Sequence, residues 1–170
     1  MKKSLKSFPK RTPKRLPFTF RYSVPPGLRK LPKDQKAKTP HYPLIPVRFY
    51  YNGVKLPVFE ALLDSGADKI NLTKKIVDRL NLPKCKKFDG AGMGGRFRCF
   101  ETEVGLIIGR GGKEFDLGIV DAVCPMVERD VPILIGRYPV FMEYQVIFED
   151  FKQRFKLITF LSLANVSIII

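Results

Sequence analysis

From residue 42 onward, short apolar runs alternate with turn residues, the texture of a β-rich domain. Residues 46–51 are β-branched and aromatic, Asn52-Gly53 is a favoured two-residue hairpin turn, and residues 54–63 resume the strand pattern. The second strand of this hairpin ends on Leu62-Leu63 and delivers Asp64 to its tip. One helix is predicted next, with Thr73 able to cap it, Ile76, Val77 and Leu80 on one face, and Asn81 and Pro83 as its stop. After it the pattern returns to strands: 96–106 and 114–123 around the turn Gly109-Arg110-Gly111-Gly112, then 145–148 and 154–158 around Asp150. No internal repeat is present.

Length and composition narrow this picture. A chain of 170 residues with 45% hydrophobic residues fits one globular domain with tails and excludes a two-lobed enzyme. The net charge of +15 is concentrated at the front: residues 1–40 hold thirteen Lys and Arg against Asp34, or +12, which leaves +3 for the rest. With seven prolines and few aliphatic residues, 1–40 cannot bury enough apolar surface to offset its ordering entropy, and is expected to be a disordered basic arm. It is either a solvated tail or a weak, non-specific contact for nucleic acid.

The prolines at positions 9, 13 and 17 leave no continuous apolar stretch for a signal peptide, so a cytoplasmic location is the default expectation. Residues 159–170 form an apolar C-terminal tail, too short to span a membrane.

Cys85, Cys99 and Cys124 are odd in number and lack a C-x-x-C pair, so neither a disulfide framework nor a metal site is indicated, and no cofactor is expected. All three read as core or half-buried thiols. The single histidine, His41, has no serine or cysteine motif near it, which leaves nucleophilic catalysis of the Ser-His or Cys-His kind unsupported.

Asp64-Ser65-Gly66-Ala67 taken alone is also a common turn. Its setting gives it a second meaning, because a carboxylate at the end of an apolar strand is expensive to bury without a partner. Two such carboxylates facing each other share one proton and can activate a water between them. Elsewhere, Gly90, Gly92 and Gly95 satisfy G-x-G-x-x-G, but the strand-like segment after them, beginning Arg96-Phe97-Arg98, excludes a dinucleotide fold. A plain glycine loop remains the alternative there.

Four segments, in order, make the chain resemble the retropepsin family of aspartic proteases. They are Leu62-Leu63-Asp64-Ser65-Gly66-Ala67-Asp68; the glycine tip Gly90-Ala91-Gly92-Met93-Gly94-Gly95; Ile133-Leu134-Ile135-Gly136-Arg137; and a short helix over 139–144 leading to a last hairpin. Only the first and third are specific, and their separation makes the pair persuasive.

The resemblance implies an all-β, closed, barrel-like acid protease fold with one or two short helices over residues 41–158. It implies Asp64 as the catalytic carboxylate, supported by Ser65, Gly66, Ala67, Asp68, Gly136 and Arg137, with Asp68 and Arg137 ion-paired. Residues 90–95 would be a mobile flap over a polypeptide substrate. No second Asp-[Ser/Thr]-Gly exists, so an active aspartic endopeptidase would be a homodimer with one Asp64 from each chain. The competing expectation is an inactive binding module of the same fold whose basic arm contacts nucleic acid. A small basic structural protein is a third, which accounts for neither signature.

Overall fold

The computed structural model describes residues 18–25, 40–92, 95–128 and 131–159. The apolar run Leu44–Tyr51 forms β2, turns at Asn52 and Gly53, both at positive φ, and pairs back through β3 (Val54–Lys55). Pro57 lacks the N–H that a continued ladder needs, and the strand resumes only as β4 (Phe59–Leu63). Two predicted hairpin arms are therefore three strands.

β2 closes the sheet on itself. Its first half, Leu44 to Val47, pairs with β4, and from Val47 to Tyr50 it pairs with β7 (Gly95–Arg110). From Cys99 onward β7 pairs with β8 (Lys113–Pro125), β8 with β5 (Ile70–Asn71), β5 with β9 (Leu134–Ile135), and β9 with β4. The circuit β2-β4-β9-β5-β8-β7 is a closed six-stranded barrel, the all-β class expected from the sequence. Ile45, Val47, Phe49, Leu63, Ile70, Leu106, Ile108, Val120 and Ile135 fill its core.

α1 (Lys74–Leu80) lays Ile76, Val77 and Leu80 on that core, as predicted. Its ends differ in detail: Thr73 occupies the N-cap position without a side-chain capping bond, and Asn81 ends the helix in the left-handed conformation. The helical turn Arg137–Phe141, interrupted by extended Tyr138, leads into β10 (Tyr144–Glu149). A 3₁₀ turn, Asp150–Lys152, then joins β10 to β11 (Arg154–Thr159).

The main departure lies in the basic arm. Phe18–Arg21 is not a disordered segment but β1, paired antiparallel with β11 in a sheet of order β1-β11-β10. Its physical cause is strand-type alternation: Phe18, Phe20 and Tyr22 fall on one side and Thr19 and Arg21 on the other. Phe20 stacks on Phe155 with ring centroids 5.1 Å apart, while Phe18 meets Phe115 of β8 edge-on at 3.9 Å. This fixes the small sheet to the barrel. The expectations for residues 1–17, 26–39 and 160–170 fall outside the described residues.

Candidate functional site

Asp64 follows the last residue of β4, where parallel pairing sets Leu62 beside Leu134 and Leu63 beside Ile135. The Asp64 amide continues that ladder by donating to the Ile135 carbonyl at 3.0 Å. The chain then turns tightly: the Gly66 amide donates to Asp64 Oδ1 at 2.8 Å and the Ala67 amide to the Asp64 carbonyl at 3.3 Å. The carboxylate is thus oriented by its own loop and sits half-buried.

The donor to Asp64 Oδ1 is the Gly66 backbone, and Ser65 is exposed. Glycine suits position 66 because a Cβ there would crowd Asp64 Oδ1 at 3.1 Å.

The second signature lies directly against the first. The Arg137 amide donates to the Ala67 carbonyl at 2.8 Å and the Tyr138 amide to the Asp68 carbonyl at 2.9 Å. A Cβ on Gly136 would stand 2.4 Å from the Lys69 carbonyl oxygen, so only glycine lets the two loops meet. Arg137 and Asp68 also form an ion pair, but both side chains are mostly exposed, 61% and 80%. An exposed pair contributes little; the backbone bonds and the close approach at Gly136 hold the site together. Lys69 extends the polar rim through an ion pair to Glu101 at 3.0 Å.

The glycine segment forms a hairpin in which β6 (Lys87–Gly92) pairs with the start of β7, from Lys87 opposite Phe100 to Gly92 opposite Gly95. Met93 and Gly94 lie outside the described residues. β8 pairs with β7 only from Cys99 onward, so the outer part of this hairpin is a two-stranded ribbon standing clear of the barrel. Such a ribbon has fewer ladder partners than the rest of β7.

A groove of about 450 Å³ lies between α1 and the start of β4, lined in part by Phe59, Ile76, Arg79 and Ile133. It includes none of the predicted site residues.

Cys99 and Cys124 are buried, as expected for packing thiols, whereas Cys85 is exposed and joins the sheet through its amide to the Glu101 carbonyl at 2.8 Å. Burial, reinforced by the nearby Cys99, pushes the Cys124 thiol up to about 11, so it stays protonated and unreactive at neutral pH. Among the described residues, no group of three or more His, Cys, Asp and Glu is placed to hold a metal, and no helix is long and apolar enough to cross a membrane.

No protein-family model matches the chain, and no curated protein does. Among solved structures, EIAV protease complexed with the inhibitor HBY-793 is similar to it, with 24% identity and a TM-score of 0.37 over 56% of this chain and 82% of that one.

Proposed function

We propose that the chain is one subunit of an aspartic endopeptidase whose active site forms between the Asp64 carboxylates of two copies. The observation that carries this reading is the joint between the Asp64 loop and the Ile135-Gly136-Arg137 segment. It presents one oriented, half-buried carboxylate directly after β4, and the sequence holds one Asp-Ser-Gly motif to supply it.

Peptide hydrolysis by a pair of aspartates proceeds without a covalent intermediate and uses the two carboxylates in different protonation states. Two copies of Asp64 brought within about 3 Å across a twofold axis cannot both ionise, so one keeps a proton. The ionised copy takes a proton from water as the water attacks the scissile carbonyl, polarised by the protonated copy, and the proton so taken then passes to the amide nitrogen as the C–N bond breaks. The 90–95 hairpin would close over an extended peptide and pair with it as an added strand. The backbone bonds from Arg137 to Ala67 and from Tyr138 to Asp68 brace the loop within each subunit.

The reading is tested by digesting casein across acid and neutral pH. It predicts that the parent chain cleaves and that Asp64→Asn folds normally and does not. Equal cleavage by the two proteins, or none by the parent at any pH, would overturn it.

A further inference from the structure

Lys69 joins parts of the molecule that are far apart in the chain. It is the last residue before β5, whose parallel pairing sets Ile70 beside Ala122 of β8. Its carbonyl oxygen is the atom that Gly136 approaches, so its backbone belongs to the joint that holds the Asp64 loop. Its side chain reaches away from that joint: Nζ lies 3.0 Å from Glu101 Oε1 and 4.0 Å from Asp121 Oδ2.

Glu101 stands at the base of the glycine hairpin. Its amide donates to the Lys86 carbonyl at 2.9 Å and its carbonyl accepts from the Cys85 amide at 2.8 Å, the bonds next to the Lys87–Phe100 pair that opens β6. On its other side it lies opposite Val123 of β8, two residues inside the start of the β7-β8 ladder at Cys99. β5 and β7 are not neighbours in the sheet, because β8 runs between them. The Lys69 side chain therefore spans β8 to tie the end of the Asp64 loop to the hairpin base.

The charges around Lys69 give it work to do there. Glu103 faces Asp121 directly across β7 and β8, and Glu101 is two residues along on the same face. Like charges in such cross-strand positions destabilise a sheet. Among the described residues, Lys69 is the cation that ion-pairs with this group. Its pair with Glu101 is also less exposed than that of Asp68 and Arg137, at 34% and 40% for the two side chains.

We infer that Lys69 is a positioning residue that couples the Asp64 loop to the base of the β6-β7 hairpin. Its consequence for catalysis rests on the protease reading, in which that hairpin closes over the peptide. Holding the base in place makes closure easier and so tightens substrate binding, while the chemical step at Asp64 is left as it was.

Hydrogen exchange followed by NMR on the parent, Lys69→Met, Glu101→Gln and Lys69→Arg tests the coupling without substrate. In Lys69→Met and Glu101→Gln the Cys85 and Glu101 amides should exchange at least about threefold faster, while the amides of α1 keep their parent rates. Lys69→Arg keeps the charge and should match the parent. With fluorescein-labelled casein, the two charge-removing variants should raise KM about threefold to fivefold and leave kcat within about twofold. Lys69→Met combined with Glu101→Gln should be no worse than either alone, as a shared pair requires.

Faster exchange confined to the hairpin base, with the KM shift, supports the inference. Parent-like exchange in Lys69→Met, exchange raised equally throughout the chain, an unchanged KM or additive losses in the double variant overturn it. A parent chain that cleaves no casein overturns the protease reading instead, and the exchange rates still decide the coupling.

Discussion

Gly136 approaches Lys69 so closely that a Cβ on Gly136 would stand 2.4 Å from the Lys69 carbonyl oxygen. The obstacle is backbone and cannot rotate away. Gly136→Ala is therefore expected to lower stability by at least about 2 kcal/mol, as overpacking does, and to displace the Asp64 loop. Urea unfolding measures the first effect and the digestion assay the second. A variant as stable as the parent would show that the loops do not need this contact.

The neighbouring ion pair should behave differently. Asp68 and Arg137 are bonded but largely exposed. Asp68→Asn is expected to change the stability of the isolated chain by less than about 1 kcal/mol in urea unfolding, because solvent screens the pair and ordering two side chains offsets its attraction. A larger loss would place the bracing in the side chains instead of the backbone.

Phe18 reports whether β1 belongs to the folded domain. It is buried against Phe115, so Phe18→Ala should cost about 3 kcal/mol, whereas deleting residues 1–17 should leave the unfolding midpoint nearly unchanged. Parallel denaturation curves for the two variants check both expectations. Equal effects would mean that β1 contributes nothing to the fold.

Glu149 gives the fold an acid limit. Hydrogen bonds from Arg154, then Lys156, hold its carboxyl at about 2, below the ordinary 4.5. A depressed folded value means that the stabilisation is complete above the unfolded value and is lost as pH falls through the folded one. Stability should thus decline between about pH 4.5 and 2, and Glu149→Gln should flatten that part of a pH series of thermal unfolding curves. An unchanged slope in the variant would assign acid sensitivity elsewhere.

These residues also mark where the sequence was legible. Alternation and turn chemistry are local, so the Asn52-Gly53 hairpin, the Ile76-Val77-Leu80 face and the long hairpin turning at Gly111 and Gly112 could be read directly. β1 was hidden because its four residues were averaged into a proline-rich, basic stretch, although Phe18-Thr19-Phe20-Arg21-Tyr22 carries a period of two.

The site was legible as two separated motifs but not as a joint. The bonds from Asp64 to Ile135 and from Arg137 to Ala67 are backbone contacts about 70 residues apart, and no residue type advertises them. The donor that orients Asp64 is equally invisible, because Gly66 acts through its amide, which every residue except proline has.

The central claim is that catalysis uses two copies of Asp64, and a mixing experiment tests it most directly. Parent and Asp64→Asn chains are combined at constant total concentration, allowed to exchange, and assayed for peptide cleavage. If every active site needs an Asp64 from each subunit, activity falls as the square of the parent fraction. A linear fall, or activity that does not depend on the parent fraction, would contradict the account.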